Sequence, residues 1–266
     1  MPLLLSVRIP GRHTDRAVGV VVVVLILAVV AAGIWWSWNR KKQRRVALAG
    51  FAAQYQMQYT QDDPYDLLGY PFHLLREGDG RGCENVLAGA WQGLPMREAD
   101  YWYYTESTDS KGNRNRSYHY FSIVIAVLAV DAPGVTVDKE NLLTKLADHL
   151  GFHDIDFESE DFNREFQVKA RDKEFAYQLI DARMIRWLLS TGGTFGFDLQ
   201  GSNLLVHSKR LSPTGLVPLF GTAKGFSDHI PNLVWTEYGT KATGVAPSAT
   251  AVDAQPRPDN EERSTP

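Results

Sequence analysis

The longest uninterrupted apolar run in the chain is AVGVVVVVLILAVVAAGIWW, from Ala17 to Trp36. Those 20 residues carry no charge and present no polar face. At about 1.5 Å of rise per residue, a helix over them spans roughly 30 Å, the thickness of a bilayer core. In lipid a lone span must satisfy its own backbone hydrogen bonds, so it is helical despite its β-branched valines. The run is longer than the apolar core of a signal peptide. Bulky Trp35, Trp36 and Trp38 stand where small residues would precede a cleavage site. An uncleaved membrane anchor is therefore predicted.

Further along, the apolar spacing shortens into strands and helical stripes. Val46 to Tyr59 is rich in helix formers and ends before Asp63-Pro64. Cys83 to Trp91, Met96 to Thr105 and Tyr118 to Val130 read as an antiparallel meander. Its long polar loop is Ser107 to Ser117, and its last strand is buried on nearly both faces. Asp131-Ala132-Pro133-Gly134 is expected to close that unit. Asp138 is placed to cap a helix from Lys139 to Leu150, and Gly151 to end it. Short strands follow at Phe152 to Glu158 and Arg164 to Ala170, then a second helix from Lys173 to Leu189. A hairpin is expected around Gln200-Gly201-Ser202, and Pro213 to Pro231 carries no clear period. The fold class predicted is α+β: one transmembrane helix followed by a soluble domain of antiparallel sheet with two main helices. The expected segments are an N-terminal flank over 1–16, the transmembrane helix over 17–38 and a basic juxtamembrane helix over 39–62. A soluble domain over 63–239 and a disordered, Pro- and acid-bearing tail over 240–266 complete the chain.

Charge orients the anchor. Arg40, Lys41, Lys42, Arg44 and Arg45 follow the span, against Arg8, Arg12 and Arg16 before it. The positive-inside rule then places the C-terminal domain in the cytoplasm, with Trp35, Trp36 and Trp38 as the interfacial belt of a single-pass cell-membrane protein. The net charge of −3 offers no global basic field, so no nucleic acid is expected as a partner. A single cysteine, Cys83, excludes an internal disulfide.

The block Glu158-Ser159-Glu160-Asp161-Phe162-Asn163, then Phe166-Gln167-Val168 and Ala176, Leu179, Ile180 and Asp181, resembles a pattern in uncharacterised bacterial single-pass membrane-anchored proteins. There an acidic Glu-Ser-x-x-Phe-Asn stretch precedes a Phe-x-Val strand and a helix. The resemblance implies an anchored α+β domain of unknown function and carries over no catalytic residue.

Candidate chemistry is sparse. His149 and His153 have metal-ligand spacing, but Gly151 between them breaks the shared helical face. Glu158, Glu160, Asp161 and Glu165 form an acidic cluster without EF-hand spacing, read as a solvated loop. Gly78-Asp79-Gly80-Arg81-Gly82 matches no phosphate-binding fingerprint. No catalytic, cofactor-binding or metal-binding residue is assigned, and no cofactor is expected. The leading expectation is a non-catalytic membrane-tethered interaction domain, whose partners are the lipid bilayer and an unidentified membrane or cytosolic protein. One rival is a membrane-surface enzyme with a dispersed site drawn from Cys83, His119 or the acidic cluster. Another is an anionic-lipid or envelope sensor using Lys111, Arg114 and Arg116.

Overall fold

The computed structural model describes residues 13–139 and 151–240. The chain divides into two compact units, Met1–Ala47 and Leu48–Pro266. The first is carried by the helix α1 (His13–Gln54), which runs through the apolar stretch and on past Ala47. From Val22 it is long and apolar enough to cross a membrane, with a mean hydropathy of 2.0 and no burial of its apolar window. The side chains splay outward, with Leu27 62% and Trp38 68% exposed. A helix with apolar groups all round its surface has no stripe to turn toward a protein core, and lipid is the solvent that suits it.

The second unit begins within the last turns of α1. Leu48, Phe51 and Ala52 recur at i, i+3 and i+4 and are buried in the main core. From sequence, Val46 to Tyr59 could continue the membrane helix or lie along the headgroups; as far as Gln54 it continues α1, and these three residues are core residues of the body. Next come β1 (Gln58–Thr60), β2 (Gly80–Trp91), β3 (Leu94–Thr108) and β4 (Arg114–Lys139). After 151 the chain forms β5 (His153–Ile155), α2 (Glu160–Glu165), β6 (Phe166–Ala170), α3 (Lys173–Leu179) and α4 (Ala182–Ser190). It ends with β7 (Gly196–Lys209), α5 (Leu216–His229) and α6 (Asn232–Tyr238). The result is α+β: one antiparallel sheet in the order β1-β2-β3-β4-β6-β5, with β7 also paired to β4, and several helices packed on it.

The spine is β4, 26 residues long. One edge pairs with β3 from Arg114 to Ala126 and with β6 from Val135 to Lys139. The other pairs with β7 from Phe121 to Val137. Both faces of the sheet are covered. One carries Val124, Val137, Leu204 and Val206 beneath α3, α4, α5, α6 and the end of α1. The other carries Val86, Ala99, Tyr101, Ile123 and Ile125 beneath Leu67, Phe72, Leu74 and Leu75 of the segment joining β1 to β2. Tyr101 Oη donates to the Leu74 carbonyl at 2.6 Å, which satisfies the one polar atom of a wholly buried ring.

Several local expectations are corrected. Asp131 to Gly134 is no loop: it is an irregular stretch inside β4, where the β7 register shifts between Val127 and Val135. Pro133 lacks an N–H and fits where the ladder is broken; Gly134 takes φ 121°, open only to glycine. Gly201 likewise marks a bulge within continuous β7, at φ 56°, and no hairpin. Tyr118 to Tyr120, expected buried, are exposed; full burial holds from Phe121 to Ala126. The helix expected over Lys173 to Leu189 is two, because the Asp181 side chain accepts from the amides of Arg183 and Met184 and starts α4 afresh. The strand expected from Arg164 is partly helix, since the Ser159 side chain caps α2. The unread 213–231 region holds α5, whose Pro218 sits in the first turn, where the amide has no intrahelical partner. Lys139 belongs to β4; the remainder of the helix expected up to Leu150 lies outside the described residues.

Candidate functional site

The β3–β4 hairpin extends beyond the part of β4 that β7 covers, and its outer end carries an aromatic face. Alternation places Trp102 and Tyr104 of β3 on the same side as Tyr118 and Tyr120 of β4. The rings of Trp102 and Tyr104 are nearly parallel, at 13° and 6.4 Å; those of Tyr118 and Tyr120 lie at 16° and 6.1 Å. Across the strands Trp102 meets Tyr118 at 49°, and Tyr104 meets Tyr118 at 53°. The floor is glycine. A Cβ on Gly80 would collide with the Tyr104 ring, and one on Gly82 would lie 2.9 Å from Trp102 Cζ2. The Gly-x-Gly pair therefore lets both rings lie down on β2. Arg116 sits 4.6 Å over the Tyr104 ring, held by Glu106 at 2.7 Å. Arg210 lies 5.6 Å over Tyr120.

At the inner end of this face, polar groups run into the body. The Arg210 guanidinium donates to Asp100 at 2.7 Å and reaches Glu84 at 3.5 Å. Asn85, held at φ 57° in the β2 bulge, donates to Asp100 at 2.9 Å and accepts from Tyr59 Oη at 2.9 Å. Asp100 is 2% exposed, so this network is what makes its burial tolerable.

A second buried group lies on the opposite face. His207 pairs with Ile123, yet its Nε2 is 3.2 Å from Asp138 Oδ1, next to Val137 at the far end of the ladder. That contact requires the β4–β7 ladder to bend sharply at its irregularities. Asp198 is beside them, accepting from Gln200 Nε2 at 3.1 Å. Burial pushes the Asp198 carboxyl up to about 7, and the neighbouring Asp138 adds to it; the Gln200 amide and the His73 N–H oppose the shift. His207 and Asp198 are 2% and 5% exposed, so this nest is closed to ligands. A third feature is an open, mainly apolar cleft of about 680 Å³, bounded by Phe157, Tyr177, Ile180, Ile185, Glu158 and Arg186.

The residues singled out from sequence disperse. Trp35, Trp36 and Trp38 are exposed on α1, and Arg40 stacks 4.7 Å over Trp36. Lys41, Lys42, Arg44 and Arg45 follow on the same helix. Cys83 on β2 and His119 on β4 are separated by β3, about 9–10 Å of strand spacing. His119 stacks on Tyr103 at 4.7 Å. Burial, then Asp63, Asp100 and Glu98, raise the Cys83 thiol far above its usual range, which keeps it protonated and unreactive. The acidic cluster also scatters: Glu165 pairs with Lys139, Asp161 with Arg164, and Glu158 borders the cleft. Of the basic loop, Arg116 is tied to Glu106 and the Tyr104 ring. His149 lies outside the described residues, and His153 is exposed on β5. Among the described residues no group of three or more His, Cys, Asp or Glu side chains could hold a metal. The aromatic face was readable in principle from Trp102-x-Tyr104, Tyr118-x-Tyr120 and Gly80-x-Gly82, three period-2 pairs whose alignment depends on register.

The fold has a solved counterpart. The crystal structure of the mycobacterial trehalose monomycolate transport factor A, TtfA, superposes with a TM-score of 0.51 at 13% sequence identity. The match covers 71% of this chain and 95% of that one. At this identity the likeness is one of fold. No protein-family model and no curated protein matches the chain.

Proposed function

We propose that this chain is a single-pass membrane protein whose α+β body is a non-catalytic interaction domain. Held at the cytoplasmic face, it serves as an accessory factor in envelope-lipid transport. The observation that carries the reading is the α1 segment from Val22, apolar on all sides and unburied, joined to a body with a complete core. The fold shared with a transport factor supplies the lipid-transport part of the proposal. The basic run Arg40 to Arg45 after the span supplies the orientation. Tethering raises the body's effective concentration toward other membrane proteins, so modest surface affinities suffice.

Two fusions to the C-terminus of the full chain test the orientation. A reporter that fluoresces in the cytoplasm is expected to be bright, and a phosphatase that works only after export is expected to be silent. The reverse pattern would overturn the cytoplasmic placement. Cross-linking in intact cells is expected to recover a defined membrane-protein partner of the lipid-export machinery. Recovery of abundant bystanders alone, in proportion to their copy number, would sink the interaction reading.

A further inference from the structure

We propose that the open cleft between the β5–α2 loop, α3 and α4 is a peptide-docking site. It takes a short basic segment of a partner membrane protein, in which one or two large apolar side chains are flanked by Lys or Arg. This deepens the interaction reading above and rests on it for the partner's place in the membrane.

The cleft is built before any partner arrives. Its walls are Phe157, Ile180 and Ile185, with the ring of Tyr177 standing 52% exposed at the mouth. The Asn163 side chain grips the Phe157 backbone in both directions, donating to its carbonyl at 2.6 Å and accepting from its amide at 3.0 Å. Tyr177 Oη donates to the Asp156 carbonyl at 3.2 Å. The Phe157 ring meets Phe162 and Tyr177 edge-on, each at 5.4 Å. A rim fixed in this way loses little order when an apolar side chain enters. The volume of about 680 Å³ lies within the range of ligand pockets.

Charge chooses the occupant. Alternation around Phe157 leaves Asp156 and Glu158 exposed on the rim, followed by exposed Glu160, and none of the three has an ion-pair partner among the described residues. The nearby bases are engaged elsewhere: Arg164 with Asp161, Lys169 with Asp154, and Arg183 with the carbonyls of His229 and Ile230. At the start of α3, Lys173 is followed by Glu174, and Asp181 is engaged in capping α4. Arg186 is the one cation lining the cleft. The rim is therefore net acidic and selects cations beside an apolar anchor. An acyl chain ending in an anionic head would face those carboxylates and leave part of its length in water at the open side. Cytoplasmic ends of membrane spans offer the matching chemistry, Lys and Arg beside aromatic and aliphatic side chains.

The full chain in phosphatidylcholine nanodiscs is titrated into a fluorescein-labelled, amidated peptide Lys-Lys-Phe-Leu-Lys-Lys, with protein-free nanodiscs as the blank. A saturable rise in anisotropy is expected with the protein alone, weakening as salt rises. Changing Phe-Leu to Ala-Ala, or every Lys to Glu, is expected to abolish it. Asp156→Asn combined with Glu158→Gln should weaken binding about threefold to tenfold, the loss of two exposed ion pairs. Tyr177→Ala should weaken it by about tenfold, the loss of an aromatic anchor. Arg186→Gln should leave it equal or tighter. Melting curves of each variant separate lost binding from lost folding. Absence of saturable binding would overturn the proposal, as would wild-type affinity in the folded Asp156 and Glu158 double variant. Binding of oleic acid that the peptide does not displace, and that Arg186→Gln abolishes, would assign the cleft to an acyl amphiphile and equally overturn it. A peptide that fails while cross-linking in cells still recovers a defined partner overturns this site alone; failure of the cross-linking overturns the interaction reading.

Discussion

Burial pushes the Asp198 carboxyl up to about 7, so the folded protein holds a proton there over a range where an unfolded aspartate, at about 3.9, has lost it. The stability this group contributes is full below about pH 4 and is lost as pH rises through about 7. Asp198→Asn removes the titration while keeping an acceptor for Gln200. Its melting temperature, measured relative to wild type, is expected to climb as pH goes from 5 to 8. Between pH 5 and about 7 wild type loses about 1.4 kcal/mol per pH unit, so for a domain of this size the climb is on the order of 5–10 °C, at about 2–4 °C per kcal/mol. A difference that stays flat with pH would count against the protonated Asp198. Arg210 is the matching case for charge. Arg210→Ala takes the guanidinium donor away from the Asp100 carboxylate, which is 2% exposed and also accepts from the Asn85 amide. A cost of about 2–3 kcal/mol in denaturant midpoint experiments is expected, at the low end for a broken buried pair because Arg210 is itself partly exposed. Neither residue stands out in the sequence, because burial and pairing belong to the sheet that brings β3 and β7 to either side of β4.

Among the elements, β4 and β7 carry the most consequence, since their shared ladder bends at Gly134 and Gly201. Gly134→Ala would force a side chain into φ 121° with its Cβ 3.0 Å from the Phe152 ring. The expected loss is about 1–3 kcal/mol, read as a lower melting temperature. The Asp181 cap is milder: Asp181→Ala frees the Arg183 and Met184 amides and should cost about 1 kcal/mol. Strand and helix types were largely legible from period and capping residues, as at Phe166-x-Val168 and Asp172. Their ends were not. Gly134 and Gly201 look like turns in the sequence because glycine with proline or serine marks both turns and bulges. Only a partner strand that continues past them distinguishes the two.

For the whole molecule, the boundary between the apolar span and the body falls inside one helix. Deleting residues 1–47 is expected to release a folded body into the soluble fraction, whereas the full chain stays with membranes after alkaline carbonate. Deleting residues 1–56 also removes Leu48, Phe51 and Ala52 from the core, and with Phe51 its tilted ring contact with Phe220 at 5.8 Å. The loss is on the order of 5 kcal/mol or more, comparable with the stability of an ordinary domain, so this shorter chain should not fold. Matching melting curves for the two truncations would refute that boundary.

By itself the sequence determined the apolar helix after Ala17, the α+β class and the poverty of catalytic motifs. Each rests on composition or on a local period, and those survive whatever the rest of the chain does. Tertiary structure alone decided that Trp102, Tyr104, Tyr118 and Tyr120 form one face, that Asp198 meets Asp138 and His207, and that the end of α1 belongs to the core. These are facts of register, bend and long-range packing. A strand slipped by one residue would carry the same letters and turn every one of those rings to the other side.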